Sequence, residues 1–165
     1  MEDGITSRSS RSRGSASSPS AKDLYPSSVS RSLGQLTLQS GEQVIKTLKL
    51  MPTTRLLYVG SAYGRFCIQA AHACGAAVTG IEAITSTAQQ AEQFLNELCV
   101  EYPDVMTGVR SRIKLVEGNI LCHLDELFNH SRFFIYDKCF VEETWIMLAH
   151  LFSYLSGVND IRIIA

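Results

Sequence analysis

The sequence predicts an α/β fold in which a doubly wound, mostly parallel sheet carries helices on both faces. Five short apolar runs recur along the chain, and a stretch with helical periodicity follows each of the first four. Because buried parallel strands consist of continuous apolar runs and need crossover helices between them, this alternation favours a parallel sheet. A glycine-rich break after the first run adds a feature typical of nucleotide-binding sheets. The 165 residues suffice for one such domain.

Residues 1–34 are predicted to lie outside this domain. They are dominated by Ser, with five Lys or Arg residues against three acidic ones and few apolar side chains. Such a segment buries too little apolar surface to offset the entropy lost on ordering. We interpret residues 1–34 as a disordered Ser/Arg-rich tail and residues 35–165 as the folded domain. The positive charge of the tail admits a nucleic-acid-binding arm, but a solvated linker is the favoured interpretation.

The first half of the domain predicts three helices and two strands. A helix over residues 37–51 places Val44, Ile45, Leu48 and Met51 on one side. The long third helix is started by Ser or Thr and stopped at Pro103. The elements that follow the first helix are a strand over 55–60, a helix over 65–75 that closes at a glycine, a strand over 76–83 and a helix over 86–105.

The second half predicts three more strands and two helices. These are a strand over 112–121, a helix over 123–129, a strand over 132–140, a helix over 141–157 and a strand over 161–165. Trp145, Leu148 and Phe152 recur at helical spacing and are predicted core residues. A complete fold of this class adds two more strands, so the sequence predicts a domain truncated after the fifth strand. Its open edge would require a shortened gene, a fragment or a partner that completes the sheet.

Composition narrows the function classes. The net charge of −1 gives the domain no overall attraction to nucleic acid, and no direct sequence-specific nucleic-acid binding is expected. No apolar run approaches the length of a membrane helix. The five cysteines form no CxxC pair or zinc spacing, and the four histidines lack metal spacing, so no metal site is predicted. Reduced thiols of this kind are typical of an intracellular protein.

The glycine break occupies residues 60–64, after the first predicted strand. In the dinucleotide fingerprint GxGxxG the third glycine lets helix and strand approach, but Arg65 stands in that slot. A nicotinamide oxidoreductase is therefore disfavoured. The residues fit GxGxG instead, with Ala62 in place of the middle glycine. That spacing is typical of the first loop of S-adenosylmethionine-dependent methyltransferases, whose ligand carries no pyrophosphate. S-adenosylmethionine is thus the predicted cofactor.

Polar residues at the next two strand ends extend the predicted site. Glu82 ends the second strand, where an acid can accept hydrogen bonds from both ribose hydroxyls. Asn119 follows the third strand and could face the adenine amino group, with Ile120 packed on the ring. For Asn119 taken alone, a turn residue after Gly118 is the favoured alternative.

Several stretches resemble the disruptor-of-telomeric-silencing (Dot-one) histone lysine methyltransferases. They read SGEQVI, YVGSAYGRFCIQAAHACGAAVTGIE, VEGNIL and FFIYDKCF, and the resemblance spans residues 36–165. That family comprises non-SET lysine methyltransferases that use a class I methyltransferase fold on nucleosomes. The resemblance implies S-adenosylmethionine as cofactor, a nucleosomal histone as partner and the nucleus as location.

The resemblance also assigns site residues. Glu42 falls in the family's Tyr-Gly-Glu motif, whose acid lies in the loop that covers the methionine part of the cofactor. Glu82 would hold the ribose and Asn119 would stand near the adenine. Gly60, Ser61 and Gly64 would line the cofactor loop.

The chain departs from the family at several positions. Tyr58 replaces an Asp before the loop, Ala62 replaces a Gly, and Ser40 replaces a Tyr ahead of Gly41. The family's Asn-Asn-Phe stretch, which borders the transferred methyl and the lysine channel, is here residues 136–138.

The wall of the predicted lysine channel depends on that altered stretch. Tyr136, Asp137 and Phe140 are its candidates, and Asp137 is the predicted catalytic residue because it could orient the lysine amine. A cap of the following helix is the alternative for Asp137. The leading hypothesis is a histone lysine methyltransferase. The alternatives are a methyltransferase-like binding module without turnover and a methyltransferase that acts on a small molecule.

Overall fold

The computed structural model describes residues 36–136, 140–157 and 160–165. Its five strands form one sheet in the order β3-β2-β1-β4-β5, and every pair of neighbours is parallel. This confirms the predicted doubly wound fold. The strand order reverses beside β1, so β1 and β4 flank the point where such sheets bind ligands. The strands are β1 (Arg55–Val59), β2 (Ala77–Glu82), β3 (Ile113–Glu117), β4 (Arg132–Ile135) and β5 (Arg162–Ile164).

Helices connect these strands and cover both faces of the sheet. The helix α1 precedes β1, and the others follow the strands in chain order. They are α1 (Leu38–Leu48), α2 (Arg65–Cys74), α3 (Thr85–Glu101), α4 (Pro103–Arg110), a 3₁₀ turn (Ile120–Cys122), α5 (Asp125–Phe128) and α6 (Glu142–Ser156). In the part of the chain that the structure describes, no helix combines the length and apolar character that crossing a bilayer requires.

Two apolar cores lie on opposite faces of the sheet because side chains alternate along each strand. Leu56 and Tyr58 of β1 point into the first core, which α1 to α4 cover. Leu57 and Val59 point into the second core, which contains Leu127 of α5 and the buried side of α6. The strands β1 to β4 carry apolar residues toward both cores, which explains their continuous apolar runs, whereas β5 contributes Ile164 to the first core alone.

The structure corrects several predicted boundaries. The helix predicted over residues 86–105 ends at Glu101, and α4 begins at Pro103, because proline at a first helical position needs no N–H partner. The N-cap of α3 is Ile84 rather than a Ser or Thr. The strand predicted over 112–121 stops at Glu117, and the 3₁₀ turn follows. The predicted tail and Asp137 lie outside the described residues.

Two predicted core residues are more exposed than expected. Met51 is 48% exposed, because α1 ends at Leu48 and Lys49 then adopts a left-handed conformation (φ 52°) that turns the chain away. Trp145 is only partly buried and packs against the second core, whereas Leu148 and Phe152 are buried as predicted.

Polar side chains at the amino ends of the strands are paired within the protein. Buried Arg132 donates from Nε to the Leu48 carbonyl (3.0 Å) and from Nη1 to the Asp160 carbonyl (2.9 Å). Buried His130 lies between the Glu126 carbonyl (Nδ1, 2.6 Å) and the Thr79 hydroxyl (Nε2, 3.0 Å). Since a carbonyl only accepts, Nδ1 carries the proton and Nε2 accepts from Thr79.

Candidate functional site

The loop between β1 and α2 adopts a chain path that requires small residues. Gly60, Ala62 and Gly64 all have positive φ, at 76°, 48° and 69°. A side chain at Gly60 would place its Cβ 2.8 Å from the carbonyl oxygen of Tyr136, which follows β4. The loop therefore passes directly against the end of the neighbouring strand, and only glycine fits at its first position.

Ser61 lies on the inner side of this loop. It is 4% exposed, and a Cβ at Gly80 of β2 would lie 2.9 Å from the Ser61 Oγ and 2.8 Å from the Cys67 Sγ. The missing side chain of Gly80 thus allows the loop and the start of α2 to pack directly on β2. Ser61 supports the loop from within.

The carboxylate of Glu82 ties two loops together at the end of β2. Its Oε2 accepts a hydrogen bond from the Ala62 N–H (2.8 Å), and its Oε1 accepts one from the Ile84 N–H (2.9 Å). Glu82 is 9% exposed. A carboxylate has about four lone-pair positions, so each oxygen can still accept from a ligand hydroxyl. Glu82 therefore fixes the loop geometry and remains able to bind a diol.

A cleft of about 330 Å³ opens at the carboxyl ends of the central strands. This lies within the usual size range of small-ligand sites, about 300–1,000 Å³. Its floor is apolar, with a few polar groups at its sides. It is lined by Val59, Gly60, Ala62, Ile81, Glu82, Ala83, Ile84, Thr87, Gly118, Asn119, Ile120, Tyr136, Phe140, Val141 and Thr144.

The structure brings most of the predicted cofactor residues to this cleft. Those that line it are Gly60, Ala62, Glu82, Asn119 and Ile120. The other three predicted residues, Glu42, Ser61 and Gly64, are not among the described residues that line the cleft. Ser61 and Gly64 instead shape the loop from behind, with Gly64 at the N-cap of α2. The predicted roles of these residues toward a ligand stay predictions.

Asn119 and Ile120 occupy the end of β3 in different ways. The Asn119 Oδ1 accepts a hydrogen bond from the Leu121 N–H (2.9 Å) and thereby begins the 3₁₀ turn. This is the turn role that the sequence offered as the alternative. The amide nitrogen of Asn119 stays available to the cleft, since its oxygen makes that contact. Ile120 is 3% exposed and joins the cleft floor to the second core.

Glu42 lies on a helix that packs against α2. A Cβ at Gly41 would lie 2.1 Å from the Gln69 Oε1, and the Gln69 Nε2 donates to the Leu38 carbonyl (2.8 Å). This close packing fixes α1 against α2. Glu42 itself is exposed on α1.

Tyr58 shows what the departure before the loop does to the site. Its ring is 4% exposed, stacks on Phe134 (centroids 4.8 Å apart) and meets Phe66 edge-on (5.6 Å). Burial raises the pKa of the Tyr58 phenol far above its ordinary value, and the Cys67 thiol raises it further. Tyr58 is therefore a neutral core residue, and the family's acid has no counterpart at this position.

Several residues that line the cleft were not predicted from the sequence. Ile84 is apolar but 58% exposed, and it lines the cleft two residues after Glu82, to which its own N–H donates. Thr87, Val141 and Thr144 come from the first turns of α3 and α6 or the residue before α6. An apolar residue just after a strand-ending acid is the one clue that could have identified Ile84.

Charge is distributed unequally between the two edges of the sheet. Glu82 and Glu117 end β2 and β3, and the first turn of α6 adds Glu142 and Glu143. At the opposite edge, β1, β4 and β5 each begin with arginine. Among the described residues that line the cleft, none is Lys or Arg. Arg65 begins α2 at the same edge, so the four acidic residues are only partly balanced and the cleft opens on a mainly acidic edge.

Comparison with known proteins identifies the fold. No family model and no curated protein matches the sequence. An RNA methyltransferase from Salinibacter ruber, solved with S-adenosyl-L-homocysteine, is similar with a TM-score of 0.54 and 17% identity, over 71% of this chain and 67% of that chain. Two S-adenosylmethionine-dependent methyltransferases, also solved with S-adenosyl-L-homocysteine, are similar over 74% of this chain and 47% of theirs. The one from Geobacter sulfurreducens has a TM-score of 0.55 at 23% identity, and the one from Thiobacillus denitrificans has 0.53 at 20%.

These likenesses show that the chain has the Rossmann-like fold of the methyltransferases. The chain spans about half the length of the Geobacter and Thiobacillus proteins. None of the three is a histone lysine methyltransferase by description, so the histone part of the Dot-one resemblance stays a prediction.

Proposed function

We propose that this chain is an S-adenosylmethionine-dependent methyltransferase domain. The observation that carries the proposal is one cleft in which a glycine loop with three positive φ angles meets an acid at the adjacent strand end. The three similar structures, each solved with S-adenosyl-L-homocysteine, support the same cofactor class.

The residues of the cleft fit this cofactor. Gly60 leaves backbone accessible where a side chain would close the gap to Tyr136. Glu82 retains lone pairs for the two ribose hydroxyls, as argued from its hydrogen bonds. Ile84 and Ile120 offer apolar surfaces to a purine, and the Asn119 amide nitrogen offers a donor beside them.

The chemistry asked of the chain is chiefly alignment and exclusion of water. When bound, S-adenosylmethionine supplies an electrophilic methyl group on a sulfonium sulfur. The protein must hold an acceptor in line with that methyl. Tyr136 and Phe140 line the cleft after β4 and would form an apolar wall on the acceptor side. Such a wall lowers the pKa of an amine and so favours the neutral form that can react.

For the acceptor we propose a lysine amine of a nucleosomal histone, as the Dot-one resemblance implies. The acidic edge around the cleft supports this choice, because Glu117, Glu142 and Glu143 attract a cationic peptide and repel a phosphate backbone. Asp137 would orient the ammonium during docking. A nuclear location follows from this acceptor and is proposed with it.

A small-molecule methyltransferase is the second candidate, since none of the three similar structures is described as a histone enzyme. A binding module without turnover is the third. The buried Tyr58 at the position of the family's acid supports this third candidate, because the base of the loop lacks a carboxylate.

Calorimetry of the full chain with S-adenosylhomocysteine tests the cofactor. Transfer of a labelled methyl group to nucleosomes, free histones, RNA and a panel of small amines and phenols then tests the acceptor. We expect binding and transfer to nucleosomal lysine. Absence of binding overturns the proposed function. Transfer to RNA or to small molecules alone overturns the histone acceptor, and binding without any transfer supports the third candidate.

The variant Asp137→Asn sharpens the acceptor test. An anion beside the lysine favours the charged ammonium, which cannot attack, so removal of that anion should raise the rate near neutral pH. The wild-type rate should rise with pH as the amine deprotonates, and the variant should show less of this rise. A slower variant would instead make Asp137 a positive catalytic group.

A further inference from the structure

The strand β3 forms an open edge of the sheet, and a groove runs along it. β3 is the outermost strand, and among the described residues no strand pairs with its outer side. The groove has a volume of about 470 Å³ and lies between β3 and α3, away from the cleft. An unpaired strand edge is a template for another strand, so this groove can accept one.

The main chain of β3 alternates between groups that bond to β2 and groups that point outward. The Val78 N–H donates to the Arg112 carbonyl (2.8 Å) where β3 begins. The Gly118 N–H donates to the Glu82 carbonyl (2.9 Å) where β3 ends. Because the bonds of a parallel ladder recur at every second residue, the even-numbered residues of β3 bond to β2 and the odd-numbered ones face the groove. The residues whose main chain faces the groove are therefore Ile113, Leu115 and Glu117.

One of these outward carbonyls is already bonded within the chain. Arg110 donates from Nη1 to the Ile113 carbonyl (3.0 Å) and from Nη2 to the Glu92 carboxylate (2.6 Å). The guanidinium thus caps the amino end of the edge. A partner strand would therefore bond to the main chain of Leu115 and Glu117, of which Leu115 is partly buried and Glu117 is exposed.

Charges of opposite sign stand at the two ends of this edge. Arg110 lies beside the amino end, and the Glu117 carboxylate lies at the carboxyl end, where it accepts from the Thr85 hydroxyl (2.6 Å). An antiparallel strand of the same sequence would bring its Glu117 toward Arg110 and its Arg110 toward Glu117. Two-fold symmetry makes the two contacts equivalent, so the edge is complementary to itself. A guanidinium has five N–H donors and can bridge Glu92 and a second carboxylate.

We propose that two copies of this chain associate through their β3 edges and form one continuous sheet. The strands pair antiparallel about Val116, so Leu115 of each copy lies opposite Glu117 of the other and exchanges main-chain hydrogen bonds with it. Side chains stay on their own face of the sheet, because residues of the same parity are paired. Glu117 of one copy lies one diagonal step from Ile113 of the other, within reach of the Arg110 side chain there.

This association does not depend on the proposed function. Antiparallel pairing places the carboxyl ends of the two sheets at opposite ends of the joined sheet. The two clefts therefore stay apart, and neither is covered by the other copy. Ligand affinity should be the same in the monomer and in the dimer.

Sedimentation equilibrium of the full chain at micromolar concentrations tests the association, and charge reversal tests its location. Arg110→Glu and Glu117→Arg each create two like-charge contacts, so each should weaken the dimer about ten- to hundredfold. An equimolar mixture of the two variants should recover the dimer, because one contact is then native and the other is an attraction of reversed sense. Lys46→Glu, on the exposed side of α1, makes the same change of charge and should dimerise like wild type.

Amide hydrogen exchange of the wild-type chain is a second readout that needs no variant. Exchange at the Leu115 and Glu117 N–H groups should slow as the concentration rises, because the partner strand protects them. The Lys114 and Val116 N–H groups bond to β2 and should not respond. If a variant does not fold, this measurement decides alone.

Four results overturn the proposal. The first is a wild-type chain that stays monomeric at micromolar concentrations, and the second is exchange at Leu115 and Glu117 that does not change with concentration. The third is a dimer that survives both charge reversals or that a mixture of the variants fails to recover. The fourth is an equal loss in Lys46→Glu, because general charge rather than the β3 edge would then be the cause.

Discussion

The amino ends and the carboxyl ends of the strands form two edges of the sheet that differ in how their residues are packed and hydrogen-bonded. At the amino edge, Arg132 and His130 are buried and both bond to groups of the protein itself. At the carboxyl edge, the loop holds alanine in a left-handed conformation and apolar Ile84 is exposed. The polar groups of the amino edge are thus paired within the protein, whereas the carboxyl edge carries backbone strain and exposed apolar surface.

This difference shows where the sequence serves stability and where it serves binding. Strained backbone persists only where the surrounding structure holds it, and such strain concentrates at functional sites. Changes at the amino edge should therefore destabilise the fold, while changes at the carboxyl edge should weaken ligand binding or relieve backbone strain. Three substitutions test that division.

Replacement of Glu82 should have the largest effect. Glu82→Ala removes a charge-assisted contact to the ligand diol, so binding of S-adenosylhomocysteine should weaken by about 1.5–3 kcal/mol in calorimetry. It also releases the N–H groups of Ala62 and Ile84, so the loop should become more mobile. Glu117→Ala is the matched control, because Glu117 pairs with Glu82 in register but does not line the cleft. If Glu82→Ala binds S-adenosylhomocysteine with wild-type affinity, Glu82 does not contact the ligand.

The second largest effect should come from His130, whose protonation should lower the free energy of unfolding. Burial lowers the pKa of His130 below its ordinary 6.5, although the Glu126 carbonyl and carboxylate partly oppose this and Arg55 and Lys114 reinforce it. The folded protein binds this proton less well than the unfolded chain does, so neutral His130 stabilises the fold. That contribution to stability is fully present above pH 6.5 and is lost as the pH falls below that value.

His130→Asn should reduce the free energy of unfolding near neutral pH by about 1–3 kcal/mol, since buried hydrogen bonds are lost. Denaturant titrations from pH 5 to 8 should show a weaker decline toward acid in this variant than in wild type. Exposed His150→Asn is the control. An equally steep decline in His130→Asn would show that another group governs the acid side.

Ala62→Gly should have the smallest effect and the opposite sign. A left-handed conformation costs alanine about 1–2 kcal/mol, and the greater freedom of glycine when unfolded offsets about 0.4–1 kcal/mol of the gain. The free energy of unfolding should therefore rise by between zero and about 1.6 kcal/mol. Ala83→Gly, in the same cleft but without a positive φ, should instead lower it. A loss of stability in Ala62→Gly would show that the loop is not strained.

The sequence predicted the existence and order of all five strands because each begins as an apolar run. It placed two strand ends too late, since the strands predicted over 112–121 and 132–140 stop at Glu117 and Ile135, where the chain turns into the residues that line the cleft. It predicted that a helix stops at Pro103 but not that α4 starts there, since proline suits a first helical turn as well as a break. In the site, Gly60 and Glu82 were found by their spacing at adjacent strand ends. Thr144 was missed as a lining residue, because only the packing of α6 brings it to the cleft. The hydrogen bond from the Ala62 N–H to Glu82 was also missed, because it depends on a left-handed conformation that an alanine does not indicate in a sequence.

The position of Trp145 has a practical consequence. It is the sole tryptophan of the chain, and its ring lies against that of Phe140, with centroids 5.7 Å apart. Phe140 in turn lines the cleft. Any molecule that displaces Phe140 or excludes water beside it changes the surroundings of a single fluorophore. The protein therefore carries its own optical reporter, and its emission can follow ligand entry in rapid mixing without a label.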